Sequence, residues 1–247
     1  MTRPAEKLLE VEELSKRFDG VVAVNGLSIT VGRGEIVGLV GPNGSGKTTT
    51  FNIISGSISA DTGNVVFAGE NITKERPYKI ARAGLVRTFQ LTRVFDEMTV
   101  FENLATGPGS SQEVVEDTIG PLLELVGLED HVSTPASQLS IGQQKLLEIV
   151  RAASLDARLF LLDEPFAGVN PTMERKLVGL ILELQRRGAT FLIIDHEIQL
   201  IAELCTHVYV MDYGENLAEG TPDEVRADPR TLEAYFGKGY IARTSDS

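Results

Sequence analysis

Two stretches of the chain combine residue types that handle phosphate and activate water. The first is Gly41-Pro42-Asn43-Gly44-Ser45-Gly46-Lys47-Thr48-Thr49, which fits G-x-x-x-x-G-K-[ST], the phosphate-binding loop. Its glycines let backbone N–H groups converge on phosphate oxygens with no side chain in the way. Lys47 is placed to hold the β- and γ-phosphates, and the Thr48 hydroxyl to sit on Mg²⁺. The second is Leu159-Phe160-Leu161-Leu162-Asp163-Glu164, four apolar residues followed by two carboxylates. Asp163 can hold Mg²⁺ through water. Glu164 can orient or deprotonate an attacking water.

Both stretches need a scaffold. The apolar run over residues 35–40 reads as a buried parallel strand, and the run after the loop, residues 50–54, as a helix. The loop thus sits between strand and helix, where the helix dipole adds to its pull on anions. Residues 159–162 read as a second buried strand, with both carboxylates at the end where open α/β sheets bind ligands. Residues 190–194 form a third. Ahead of this core, residues 8–18 and 27–31 alternate around a turn at Asp19-Gly20, which predicts a small antiparallel sheet. Further strands are expected at 64–67, 85–89, 208–211 and 216–219. A helix should end near Gly84, another should start at Asn170-Pro171, and short ones from Pro222 and Thr231. Between Gln90 and Leu139 the texture changes. Residues 99–105 and 113–128 look helical, with a bend due at Gly120-Pro121. This predicts an α-helical subdomain, about residues 91–139, inserted into the α/β core.

Four residues are open to two readings each. Phe18 closes the first strand, as a packing residue or a platform for an adenine ring. Gln90 follows a strand, as a loop amide or a ligand to a metal-bound water. Ser140 and Gln143 make a capping box, which either starts a helix or offers a second anion site. His196 ends a core strand, as a satisfied loop histidine or a contact to a γ-phosphate.

Composition narrows the classes. The chain has 247 residues, 42 % of them hydrophobic, enough for a sizeable core. Its net charge of −12 disfavours nucleic acid as a partner. Cys205 is the only cysteine, so no internal disulfide forms and a reducing compartment fits. No apolar run reaches bilayer length. If the protein serves a membrane, a partner does the spanning. Cys205, His196 and His207 lack the close spacing of a zinc site.

Taken in order, these motifs resemble the ATP-binding cassette (ABC) ATPases over nearly the whole chain. Residues 41–48 match the Walker A motif, Gln90 the Q-loop, and Leu139-Ser140-Ile141-Gly142-Gln143 the LSGGQ signature. Residues 159–164 match Walker B with the catalytic glutamate, His196 matches the switch histidine, and Phe18 the adenine-stacking aromatic. Two positions depart: Ile141 replaces the usual second glycine, and Asn170 the usual D-loop aspartate. Within the family the likeness is to ATPase subunits of branched-chain amino acid importers. It is carried by residues 86–90, 95–104, 167–171 and the ending from 219 to 235.

The resemblance implies a single P-loop NTPase domain over residues 1–247. It would hold a mainly parallel sheet, an N-terminal antiparallel β-subdomain, the inserted helices and a C-terminal extension over about 220–247. It implies ATP and Mg²⁺ as cofactors. Gly41, Pro42, Asn43, Gly44, Ser45, Gly46, Lys47, Thr48 and Thr49 would bind phosphate. Ser140, Gly142 and Gln143 would face the nucleotide of a partner ATPase subunit, identical or related, in a head-to-tail dimer. Thr48, Gln90 and Asp163 would order the metal, while Glu164 and His196 would act on the γ-phosphate. Partners would be transmembrane permease subunits and, indirectly, an extracytoplasmic solute-binding protein. The location would be cytoplasmic, on the inner face of the membrane. Urea and short-amide importers look similar. A soluble ABC ATPase of DNA repair or translation would show coiled-coil insertions or tandem cassettes, and this chain has neither. A small-molecule kinase lacks the signature helix, and a non-hydrolysing switch lacks the Asp163-Glu164 pair.

Overall fold

The computed structural model describes residues 6–88, 93–106, 112–155, 157–195 and 198–236. Two sheets organise them. The first is antiparallel and four-stranded, ordered β2-β1-β4-β5. β1 (Lys7–Phe18) and β2 (Val21–Gly32) form a long hairpin through the expected Asp19-Gly20 turn. β2 starts six residues earlier than its apolar alternation suggested, because exposed Val21 and Val22 pair with Phe18 and Arg17. β4 (Thr62–Phe67) adds to β1, and the two-residue β5 (Glu70–Asn71) blunts the edge.

The second sheet is six-stranded, ordered β10-β9-β3-β8-β7-β6. Its strands are β3 (Ile36–Val40), β6 (Leu85–Arg87), β7 (Leu159–Asp163), β8 (Thr190–Ile194), β9 (His207–Asp212) and β10 (Glu215–Gly220). All pairings are parallel except the β9–β10 hairpin. The chain is therefore α/β with a mainly parallel sheet beside an N-terminal antiparallel sheet, as expected from its sequence.

Continuous apolar runs make these central strands because each is buried on both faces. Alternate residues feed two separate cores. Ile36, Val40, Phe160, Leu162, Phe191 and Ile193 belong to one. Val37, Leu39, Leu159, Leu161, Leu192 and Ile194 belong to the other, where they meet the antiparallel sheet and α1 (Lys47–Ile54). In the first core Phe160 stacks on Phe191 with ring centroids 4.9 Å apart.

The segment between β6 and β7 carries α3 (Val100–Leu104), α4 (Gln112–Val126) and α5 (Ile141–Ser154). It follows α2 (Pro77–Arg82), the short helix expected before Gly84. α4 is one helix through Pro121. α6 (Pro171–Arg186) begins at Asn170-Pro171 as read. α7 (Ile198–Leu204) has no counterpart in the sequence reading. α8 (Pro222–Ala227) starts where expected. α9 (Pro229–Phe236) starts two residues before Thr231, because the Asp228 carboxylate accepts the Arg230 N–H at 2.8 Å and Pro229 opens the first turn.

Candidate active site

β3, residues 41–46 and α1 form the strand–loop–helix unit that the phosphate motif requires. Gly46 heads α1 at φ +106°, and a Cβ there would lie 2.2 Å from the Ala23 carbonyl oxygen. Only glycine fits that conformation in that space. Lys47 is buried, and its Nζ donates to the carbonyls of Gly41 at 2.7 Å and Pro42 at 2.9 Å. The lysine thus folds over the loop it must serve. Burial lowers its pKa, against the opposing pull of Glu164 and Asp163. Ser45 Oγ is buried with no hydrogen-bond partner among the described residues, a polar atom left for a ligand. Thr48 is exposed.

β7 ends at Asp163, which is buried. Glu164 follows with φ +49°, a left-handed conformation rare for a side chain of this size. Its N–H donates to the Ile194 carbonyl at 2.8 Å, which ties the turn to β8. β3, β8 and β7 run parallel in one sheet, so the loop after β3 and the carboxylates at the end of β7 stand at the same edge, which brings the two sequence motifs into one site. The hard oxygens of Thr48 and Asp163 suit Mg²⁺. Among the described residues no cluster of three or more His, Cys, Asp or Glu could hold a metal alone. A metal here needs phosphate oxygens to complete its shell, and the residues present fit that arrangement.

Two side chains that touch the site escaped the sequence reading. Arg87, on β6, pairs with Asp163 through Nη2 to Oδ2 at 2.8 Å, both side chains being buried. Lys145, on α5, donates to the carbonyls of Pro165 at 3.2 Å and Ala167 at 2.6 Å, and reaches that of Glu164 at 3.4 Å. Neither pattern has a local signal, because each partner lies far off in the chain.

The other expected residues are spread over several elements. Phe18 ends β1, exposed, with Lys16 Nζ 5.5 Å from its ring centroid. That leaves a ring face and a cation at the mouth of the hairpin. Ser140 caps α5: its Oγ accepts from Gln143 N–H at 3.3 Å, and Gln143 Oε1 accepts from the Ser140 N–H at 2.9 Å. Gln143 Nε2 lies 3.3 Å from His131 Nε2, so the loop histidine buttresses this cap. Gly142 is buried, and a Cβ there would meet Met173 Cγ of α6 at 2.8 Å. Its bare Cα serves helix packing, and its N–H in the first turn is what it can offer an anion. Ile141 beside it is exposed. Asn170 caps α6, accepting from Thr172 N–H and Met173 N–H at 3.0 Å each. Gln90 and His196 lie outside the described residues. Asp195, just before His196, is fully buried at the end of β8.

Beside the loop lies a cavity of ≈ 530 Å³ bounded by Pro42, Asn43, Gly44 and Ser45 on one side. Asp212 and Tyr213 of the β9–β10 hairpin and Arg230 and Glu233 of α9 form its other wall. The C-terminal helix is thereby part of the loop's surroundings.

Comparison with known proteins fits this geometry. Residues 24–167 match the ABC transporter family, and residues 215–241 match the branched-chain amino acid ATP-binding cassette transporter family. The chain is 39 % identical over 247 residues to the probable branched-chain amino acid transport ATP-binding protein LivG of Archaeoglobus fulgidus, covering 94 % of this chain and 96 % of that one. It is 38 % identical over 253 residues to the high-affinity branched-chain amino acid transport ATP-binding protein LivG of Salmonella typhimurium, covering 95 % and 99 %. Among solved structures, the ADP conformation of an ATP-binding cassette of an ABC transporter aligns with a TM-score of 0.85 at 35 % identity. That alignment covers 95 % of this chain and 100 % of the other.

Proposed function

The chain belongs to the ABC transporter family as an ATP-hydrolysing subunit, and we propose that it drives the import of branched-chain amino acids. The observation that carries the reading is that the Lys47 loop and the Asp163-Glu164 pair stand at the same edge of one parallel sheet, in a chain whose ending matches the branched-chain cassette family.

Residues 41–49 would wrap the phosphates with N–H groups, and Lys47 would leave the Gly41 and Pro42 carbonyls for the β- and γ-phosphates. Thr48, Gln90 and Asp163 would order Mg²⁺, which neutralises charge on the phosphates. Glu164 would polarise the attacking water, and His196 would hold the γ-phosphate. Phe18 would stack on the adenine. Ser140, Gly142 and Gln143 would close over the nucleotide of a second ATPase subunit, the same or a related chain, in a head-to-tail dimer. Exposed Ser140 at the head of α5 supports that role. The γ-phosphate then becomes an adhesive between subunits, and its loss lets them part. That movement would pull on permease helices docked near Gln90, with an extracytoplasmic solute-binding protein supplying the cargo. Among the described residues no helix is long and apolar enough to cross a membrane. The subunit would therefore work from the cytoplasmic face through its permease.

The test is Mg²⁺-dependent ATP hydrolysis over a protein concentration series, beside Lys47→Ala, followed by reconstitution with the co-purifying permease. Specific activity rising with concentration, abolished in the variant and stimulated by leucine, isoleucine or valine, is expected. Stimulation only by urea or a short amide would replace the substrate. Recovery with a ribosome and no membrane protein would overturn the transport reading.

A further inference from the structure

Two of the three protein groups assigned to the metal, Thr48 and Asp163, come from different elements. Thr48 sits in the first turn of α1, and Asp163 at the end of β7. A hydroxyl and a carboxylate that reaches the ion through water can serve one small ion only if helix and strand are held at a fixed spacing, because Mg²⁺ demands near-ideal geometry. One side chain joins both. Arg87 Nη1 donates to Asn52 Oδ1 at 2.7 Å and to Ser55 Oγ at 3.3 Å, the first within α1 and the second at its C-terminal end. Its Nη2 donates to Asp163 Oδ2 at 2.8 Å. Asn52 lies one helical turn beyond Thr48.

We propose that Arg87 is a positioning residue that sets the spacing between Thr48 and Asp163, and so decides whether the protein can hold a magnesium ion together with its nucleotide. The planar guanidinium presents its donors in a rigid fork, so the helix and the strand are spaced by a covalent plane rather than by a flexible stem. Burial keeps the fork in place: the side chains of Arg87 and Asp163 are 6 % and 7 % exposed, and the guanidinium lies 5.8 Å from the ring centroid of fully buried Phe51. Arg87 takes Oδ2 of Asp163, which leaves Oδ1 for a metal-bound water. A lysine at this position would keep the charge but lose the two-ended reach. The inference rests on the nucleotide-site reading above.

The experiment measures affinity for a fluorescent ATP analogue twice, in excess Mg²⁺ and in EDTA, for wild type, Arg87→Lys and Asn52→Ala. Thermal melts confirm that each variant is folded. The ratio of the two affinities reads the metal's contribution and needs no turnover. It should fall tenfold or more in both variants while affinity in EDTA stays within twofold, and the Mg²⁺ concentration for half-maximal hydrolysis should rise in step. An unchanged ratio in both variants, or equal losses with and without metal, would make Arg87 an ordinary stabilising residue and overturn the proposal. Wild type failing to bind under either condition would instead sink the nucleotide reading.

Discussion

The ammonium of Lys145 reaches the main-chain carbonyl of Glu164 and donates to the two carbonyls at Pro165 and Ala167. One buried cation on the Ser140-capped helix therefore shapes the turn in which Glu164 adopts φ +49°. Burial lowers the Lys145 pKa, and nearby Asp195, Glu148 and Glu164 act to raise it. Lys145→Met should strand the carbonyls and cost about 2 kcal/mol of stability. It should lower kcat more than nucleotide affinity, because the turn carrying Glu164 is reset while residues 41–49 are untouched. Urea unfolding with steady-state kinetics reads both effects, and an unaltered kcat would disconnect Lys145 from the site.

Glu164→Gln keeps the size of the side chain and its backbone bond to Ile194 but removes the carboxylate base. Turnover should fall by at least about 100-fold, the usual worth of general-base assistance. ATP affinity should stay within about twofold of wild type by the same reasoning, since the phosphate cradle is intact. An unchanged hydrolysis rate would remove Glu164 from its role.

Asn170 fills the N-cap of α6. Asn170→Ala should cost about 1 kcal/mol through loss of the bonds to Thr172 and Met173. Asn170→Asp should retain stability, because a carboxylate accepts the same N–H groups and favours the positive helix end. Chemical denaturation of both variants decides this. Comparable losses in both would mean that the amide has another partner.

Alkali should unfold the protein in a defined window. Burial pushes the Tyr235 phenol from its usual 10.0 to about 12, and the Cys205 thiol from 9.0 to about 12. In both cases the unfolded chain loses a proton that the folded chain keeps, so stability is complete below the unfolded pKa and falls as pH rises toward 12. The slope per titrating group approaches about 1.4 kcal/mol per pH unit. Denaturant midpoints measured from pH 8 to 11.5 should decline, and less steeply in Tyr235→Phe and Cys205→Ala. A flat profile in wild type would contradict the burial of both groups. Cys205 should also resist alkylation at pH 8 until denaturant is added.

The sequence was most informative where chemistry is local. The 41–49 loop, the β7 carboxylates, the Asp19-Gly20 turn and the Ser140 and Asn170 caps all depend on neighbours a few residues away, so their patterns survive in the linear text. Arg87 and Lys145 do not. Each looks like an ordinary member of its strand or helix, and its partners come from other elements, so only folding discloses its role. α7 escaped notice because a helix of seven residues makes about two turns and has little periodicity to show. The true length of β2 was hidden for the opposite reason. Its first residues are held by pairing with β1, not by burial.

The placement of β3 between β8 and β9 bears on how the protein is made. Ile36 pairs with Phe191, and Val37 with His207, so both neighbours of the phosphate-binding strand come from the last third of the chain. A nascent polypeptide emerging from the ribosome would carry Lys47 early, with nothing for its strand to lie against. Such non-local pairing is paid for late in synthesis, and chains interrupted before residue 212 should expose apolar strand edges rather than a partial nucleotide site. The cell thus receives a working ATPase or a clear substrate for its proteases, with little in between.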